Sequence, residues 1–297
     1  MSSEPDGLPR ISVSQVSTLA AGFADDVRTY AAAGLDGIGI WEMKLGDGPD
    51  DEAVALLRES GLGSATAVPA IPSILPLPLL AGPDDPRERI DSILRSLHRL
   101  APFDPAAVLC ITGPGSRAAA LRGLRAVVAE AERLGLRVAL EPFQSEGLEN
   151  WSIPSTLGDA AAIVEEIGSP ALGIQFDVWH LWNTPTLFDD IRAEIDRFAG
   201  VHVNDVRAPT RGWADRVLPG DGAVDVPAIL AALDEAGWTG FYDLEIFSDN
   251  GAFGDAWPDS LWDVPAAELA RQAKDAFEHV WEARNRTQVD QVSPGAV

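Results

Sequence analysis

The sequence predicts an α/β protein folded as one closed (β/α)8 barrel. Three observations carry that prediction. A short β-rich run, a polar or Gly/Pro loop and an amphipathic helix recur eight times between residues 10 and 284. No change of composition inside that span marks a second domain. No Gly-rich phosphate fingerprint follows any strand, as an open dinucleotide-binding sheet would require. Alternating units build a parallel sheet with right-handed crossovers, and eight of them suit a closed barrel better than an open one.

The elements follow in order. After a flexible leader at 1–9, the first strand is expected at 10–13, and its helix at 24–33 stops at Gly34. The second strand falls at 37–41, with a helix at 51–60 stopped by Gly61. The third, at 64–68, leads into an apolar, proline-rich loop that runs to Leu80, then a helix at 86–100. Proline in a first turn and glycine just past a last turn are the marks of helix ends. The fourth strand lies at 107–112 with a helix at 117–134, the fifth at 137–141 with a helix at 157–167. The sixth lies at 172–177 with a helix at 187–198. After the seventh, at 201–203, Asp225 caps a helix that has Pro227 in its first turn and ends near Gly237. The eighth lies at 240–246, the last helix at 265–284, and a flexible polar tail at 285–297.

Composition narrows the partners. The chain has 22 Lys and Arg against 46 Asp and Glu, a formal charge of -24, which opposes nucleic acid as a partner. The one cysteine, Cys110, sits in an apolar run and reads as a buried thiol with no intrachain disulfide open to it. There is no basic-then-apolar leader and no apolar run long enough for a bilayer, so the expected location is cytoplasmic, away from membranes.

In a barrel the active site lies where strands end. The late strands close in polar residues: Glu141 on the fifth, Asp177 on the sixth, His202 within the seventh and Glu245 on the eighth. Alternate residues of a strand point to opposite faces. Val138 and Leu140, Ile174 and Phe176, Val201 and Val203, and Tyr242 and Leu244 form the helix-facing set. Glu141, Asp177, His202 and Glu245 then face the axis. Three carboxylates meeting in a partly dry site repel one another. One divalent cation resolves this. Three oxygen donors and one nitrogen suit Mn2+ first, with Co2+ or Mg2+ as alternatives.

Tryptophans gather at the same end: Trp41, Trp151, Trp179, Trp182, Trp213, Trp257 and Trp262 lie in loops or at strand ends. Indoles stack on the apolar face of a sugar or another ring, and Trp41, Trp179 and Trp182 are the expected walls. Few basic residues lie on these loops, so an unphosphorylated substrate is expected. The loop from Val68 to Leu80 is too broken by proline for a helix or a central strand. Its apolar surface is expected to cover the site or to meet another subunit, so a homo-oligomer is expected and a second subunit type stays open.

The local motifs are Ala32-Ala33-Gly34-Leu35-Asp36-Gly37-Ile38, Ala139-Leu140-Glu141-Pro142, Phe176-Asp177-Val178-Trp179-His180, Gly200-Val201-His202-Val203-Asn204-Asp205, Leu218-Pro219-Gly220-Asp221-Gly222 and Asp243-Leu244-Glu245. On these motifs, over roughly residues 10–284, the chain resembles the xylose isomerase-like TIM-barrel superfamily. That is the sugar phosphate isomerase/epimerase family that includes ketose 3-epimerases. The resemblance implies that Glu141, Asp177, His202 and Glu245 hold the metal. It implies that His180 and Arg216 contact substrate, and that Glu141 and Glu245 act as acid and base on opposite faces of the sugar. The implied activity is metal-dependent isomerisation or epimerisation of a keto sugar or polyol-like ketone, by proton transfer through a metal-stabilised enediolate. A lyase or dehydratase shares that first step: β-elimination from a keto sugar, a keto-glycoside (C-glycosides included) or a cyclic keto acid. The sequence barely separates the two.

Two departures sharpen the expectation. Many relatives carry an acid in the second strand, where this chain has Gly39, Ile40 and Trp41. Hydride-shifting xylose isomerases place a lysine just after the fifth-strand glutamate, where this chain has Pro142 and Phe143. Proton transfer with one metal is therefore expected, with Asp205 bonded to His202 or Arg216 from behind, or else a turn residue. An endonuclease would need more histidines than four and a basic groove, and a silent binding module would have no need of the ligand set.

Overall fold

The computed structural model describes residues 8–78, 82–144, 148 and 151–291. Leu79, Leu80, most of the expected leader and residues 292–297 lie outside the described residues. The parallel strands are Ile11–Ser14, Gly37–Gly39, Gly63–Ser64 continued by Thr66–Ala67, Ala107–Cys110, Val138–Leu140, Leu172–Asp177, Phe198–Val203 and Tyr242–Leu244. The first strand pairs with both the second and the eighth, Ile11 opposite Tyr242. The third strand is interrupted at Ala65. Its first half pairs with the second strand and its second half with the fourth. Ala65 N–H donates to Ile38 O at 2.9 Å and Ala106 N–H to Ser64 O at 3.0 Å, so the ring closes across the break. This is the (β/α)8 TIM barrel that the repeat predicts.

Two faces per strand make two cores. Outward residues such as Leu140, Ile174, Phe176, Val203 and Leu244 pack under the helices with Leu124, Val127, Ile163 and Leu230. Each such side chain contributes roughly 1.5–3 kcal/mol relative to exposure. Inside the barrel the filling is smaller: Ala107, Ala139 and Ala199 cluster, and Thr66 donates to Gln175 Oε1 at 3.1 Å. Gly200 stands opposite Gln175, where a Cβ would run into the Gln175 amide.

The helices Asp51–Ser60, Pro86–Leu100, Arg117–Leu134 and Leu157–Ile167 keep the expected bounds. Asp85, Thr156 and Asp225 cap their helices through side-chain oxygens, each worth about 1 kcal/mol. Elsewhere tertiary pairing moves the ends. The seventh strand starts at Phe198 rather than 201, because Phe198 pairs with Ile174 of the sixth. The preceding α-helix, Leu187–Glu194, is correspondingly shorter. The last helix runs Ala266–Gln291, so the expected tail from 285 begins as helix; no Gly or Pro interrupts 285–291. No described helix is long and apolar enough to cross a membrane.

The proline-rich loop lies against the exit of the fourth strand. Ile74 and Leu75 donate to Ile111 O and Thr112 O, and Ile111 donates to Pro72 O. Arg89, only 1% exposed, anchors it by donating to Ser73 O at 3.0 Å, Ser73 Oγ at 2.6 Å and Pro83 O at 3.0 Å. Cys110 is buried in the fourth strand, and burial pushes its thiol up to about 12.

Candidate active site

The barrel register aims four side chains at one place. Asp177 stands opposite His202, and His202 opposite Asp243. Glu141 follows the fifth strand, its N–H donating to Cys110 O at 3.1 Å; Glu245 follows the eighth, its N–H donating to Val203 O at 3.1 Å. All four predicted ligands are buried. His202 Nδ1 is 3.3 Å from Glu245 Oε2, 3.7 Å from Glu141 Oε1 and 3.9 Å from Asp177 Oδ2.

Asp177 is held on every side. Its Oδ1 accepts from Trp179 N–H at 2.8 Å, capping the single turn Val178–Leu181, and from Asn204 Nδ2 at 2.8 Å. Its Oδ2 accepts from the Arg216 guanidinium at 2.9 Å and lies 3.6 Å from His180 Nε2. The same Arg216 nitrogen donates to Glu245 Oε2 at 3.0 Å. Arg216 sits in a two-residue strand, Arg216–Val217, antiparallel to Asp205–Val206. The guanidinium lies over the Phe247 ring at 4.7 Å and the Trp179 ring at 5.3 Å.

Burial and charge divide the acids. Burial drives the Glu141 carboxyl up to about 7. Burial also opposes ionisation of Asp177, yet the charges of Arg216, His180 and His202 win and hold it at about 2. For Glu245 burial is likewise outweighed, by His202 and Arg216, and its pKa falls below the ordinary value. His202 is held well above its ordinary value: burial opposes the charge, but Glu245 and Glu141 outweigh it. Burial lowers His180 to about 3 and raises Asp243 to about 7.

The residues fit a cation. Among the described residues, Glu141 Oε1 and both ring nitrogens of His202 are buried without a hydrogen-bond partner. One ligand atom each from Glu141, Asp177 and His202 lies within 4.8 Å of the others. Glu245 joins that trio through its 3.3 Å approach to His202. Carboxylate oxygens with one imidazole are a donor set for a divalent ion of intermediate hardness.

A cavity of roughly 400 Å³ opens over this cluster, and Glu141, His180, Arg216 and Glu245 form its polar end. The xylose isomerase-like TIM-barrel family model matches residues 27–279. The chain belongs to that family. It is 31% identical over 149 residues to an inosose isomerase of Halalkalibacterium halodurans, a match that covers 49% of this chain and 48% of that protein. The chain thus spans about half the length of the curated relatives it matches. In fold it is similar to an L-ribulose 3-epimerase, with a TM-score of 0.75 at 19% identity over 98% of this chain and all of that one. It is also similar to the IolI protein solved with a zinc atom, with a TM-score of 0.76 at 18% identity over 93% of this chain and 99% of that one.

Within this family barrel, several expected residues fall elsewhere. Trp41 lines the cavity, as do Trp151 and Trp213, but Trp179 and Trp182 do not. The turn that Asp177 caps carries them away: Trp179 is buried beside Arg216 and His180, and Trp182 is 37% exposed. Trp257 lies under Arg211, and Trp262 donates to Ile246 O at 3.0 Å. Asp205 hydrogen-bonds to neither His202 nor the Arg216 side chain. Its carboxylate accepts the N–H groups of Val206, Gly220, Gly222 and Val224 at 2.7–3.0 Å, so it is the turn residue.

Two residues behind the expected ligands escaped the sequence reading. Asp243 Oδ2 approaches His202 Nε2, and Asn204 bonds Asp177. Both lie two positions from an inward-facing residue, so strand parity was the signal that pointed to them. The proline-rich loop provides cover, as expected: Val68, Pro69, Ala70 and Pro72 line the cavity.

Proposed function

We propose that the chain is a divalent-metal-dependent isomerase or epimerase, moving a proton on an unphosphorylated keto sugar or polyol-like ketone. One observation carries this: Glu141, Asp177, His202 and Glu245 converge in burial, with Glu141 Oε1 and His202 Nδ1 unpartnered and facing one another. Isomerase and epimerase names among its relatives support the reading, as does the zinc atom reported with IolI.

A divalent ion held by these residues would polarise a substrate carbonyl and the neighbouring hydroxyl, and so acidify the C–H between them. Mn2+ is the ion proposed, with Co2+ or Mg2+ as alternatives. Glu141 and Glu245 then take and return that proton: the C–H bond breaks, its electrons move into the enediolate, and a proton returns to carbon. Arg216 and His180 hold the substrate oxygens and exclude water from them. Arg216 is the lone Lys or Arg among the described lining residues, and Asp177 and Glu245 already engage it, which supports an unphosphorylated substrate.

The test strips the metal with a chelator, restores Mn2+, and follows α-proton exchange on a ketose panel in D2O with product mass recorded. Exchange that is lost, then restored, with mass conserved supports the reading. Exchange indifferent to metal sinks it, and loss of mass as water or aglycone turns the assignment to a lyase.

A further inference from the structure

The cavity is lopsided. Of the 18 described residues that line it, four carry a carboxylate, imidazole or guanidinium, all at the end next to His202, and the other 14 are Trp, Phe, Met, Leu, Ile, Val, Ala or Pro. Much of the apolar part is one connected aromatic wall. Trp41 meets Phe247 at 5.7 Å between ring centroids, Phe247 meets Trp213 at 5.6 Å, and Trp213 meets Trp151 at 5.7 Å. Phe143 extends the chain from Trp151 at 5.9 Å, and Phe253 branches from Trp213 at 5.4 Å.

A bare ketose meets the polar end but leaves the apolar part of the cavity poorly matched. Each hydroxyl buried against carbon gives up water and gains no partner. The described side chains beyond the polar end offer little more than indole N–H groups, that of Trp41 being buried and unpartnered. A flat apolar ring gains dispersion and edge-to-face contact from the same wall.

We infer that the cavity takes an α-hydroxyketone bearing an aryl group, its hydroxyketone at Glu141, His180, Arg216 and Glu245 and its ring against Trp41, Trp151, Trp213 and Phe247. This rests on the proton-transfer reading for the hydroxyketone end and adds the class of the substituent. A single indole platform serves a sugar ring; six linked aromatic rings with apolar residues around them serve a ligand that sheds water over most of its length.

The test compares two probes with the same HO–CH2–C(=O)– head, 2-hydroxyacetophenone and dihydroxyacetone, by calorimetry on the Mn2+-loaded chain. The aryl probe is expected to bind at least about tenfold more tightly, from the area of one phenyl ring removed from water. Trp213→Ala, and Phe253→Ala at the half-exposed rim where folding is least at risk, should weaken the aryl probe several-fold more than dihydroxyacetone. Equal or weaker binding of the aryl probe overturns the inference, as does a loss shared equally by both probes in the two variants. Exchange of the α-proton in D2O is read on the same samples. Aryl preference without exchange keeps the substrate class and removes the proton-transfer role. Exchange without aryl preference does the reverse.

Discussion

Asp243 Oδ2 lies 3.8 Å from His202 Nε2, on the opposite edge of the imidazole from the nitrogen that meets Glu141, Asp177 and Glu245. Asp243 is itself fixed by Ser12, which donates to its Oδ1 at 2.8 Å, and by Gly39, whose missing Cβ leaves room for the carboxylate. A carboxylate behind a ligating histidine sets its tautomer and basicity. Asp243→Asn is expected to keep the fold and lower Mn2+ affinity about 10–100-fold, measured by calorimetry. Unchanged affinity would remove Asp243 from the metal's support.

Glu141 differs from Asp177 and Glu245 in how readily it takes a proton. The cationic neighbours hold Asp177 and Glu245 below their ordinary values, whereas burial raises Glu141 to about 7. Glu141→Gln and Glu245→Gln are each expected to slow α-proton exchange by about 100-fold or more. Full exchange in either variant rules out its proton-carrying role.

Asp205 gathers four backbone N–H groups, that of Val206 and three from the turn that follows Arg216 in the chain. Asp205→Ala leaves those donors without their acceptor. Urea unfolding should show a loss of about 3 kcal/mol. A loss within experimental error would mean that the turn closes without it.

Asp215 supplies the pH-dependent prediction. It accepts from Arg207 Nε at 2.9 Å and from Arg211 N–H and Nε at 3.0 and 2.9 Å. Burial opposes its ionisation, but the Arg211 and Arg207 bonds prevail and hold it below the ordinary carboxylate value. A folded pKa below the unfolded one means stability that is present above the unfolded value and lost as pH falls through the folded one. The native chain should exceed Asp215→Asn by about 2 kcal/mol near pH 7. That gap should close on acidification. A gap that stays constant with pH would assign it to shape rather than charge.

Much of this site was legible because strand parity is rigid. Once the fifth to eighth strands were recognised, alternation alone turned Glu141, Asp177, His202 and Glu245 inward, and the register brings all four together. The same rule applied two residues further would have reached Asp243 and Asn204. Loop residues obey no such period. Trp179 and Trp182 sit next to Asp177 in the chain, yet one helical turn takes them off the cavity, while Phe247 and Phe253, unremarkable in the sequence, help to form its wall.

The sequence by itself determined the eight-fold alternation, hence the barrel, and the inward set at the strand ends, because both follow from local periodicity and hydrophobic pattern. It also determined that Cys110 would be buried and that the proline-rich loop would cover the site or meet another subunit, since neither apolar run tolerates water. Only the tertiary structure decided which polar atoms meet which. Arg216 bridges Asp177 and Glu245, Asp205 turns to its own loop, and Asp243 stands behind His202. Those pairings join residues up to a whole barrel apart, such as Ser12 and Asp243, and depend on ring closure rather than on any local pattern.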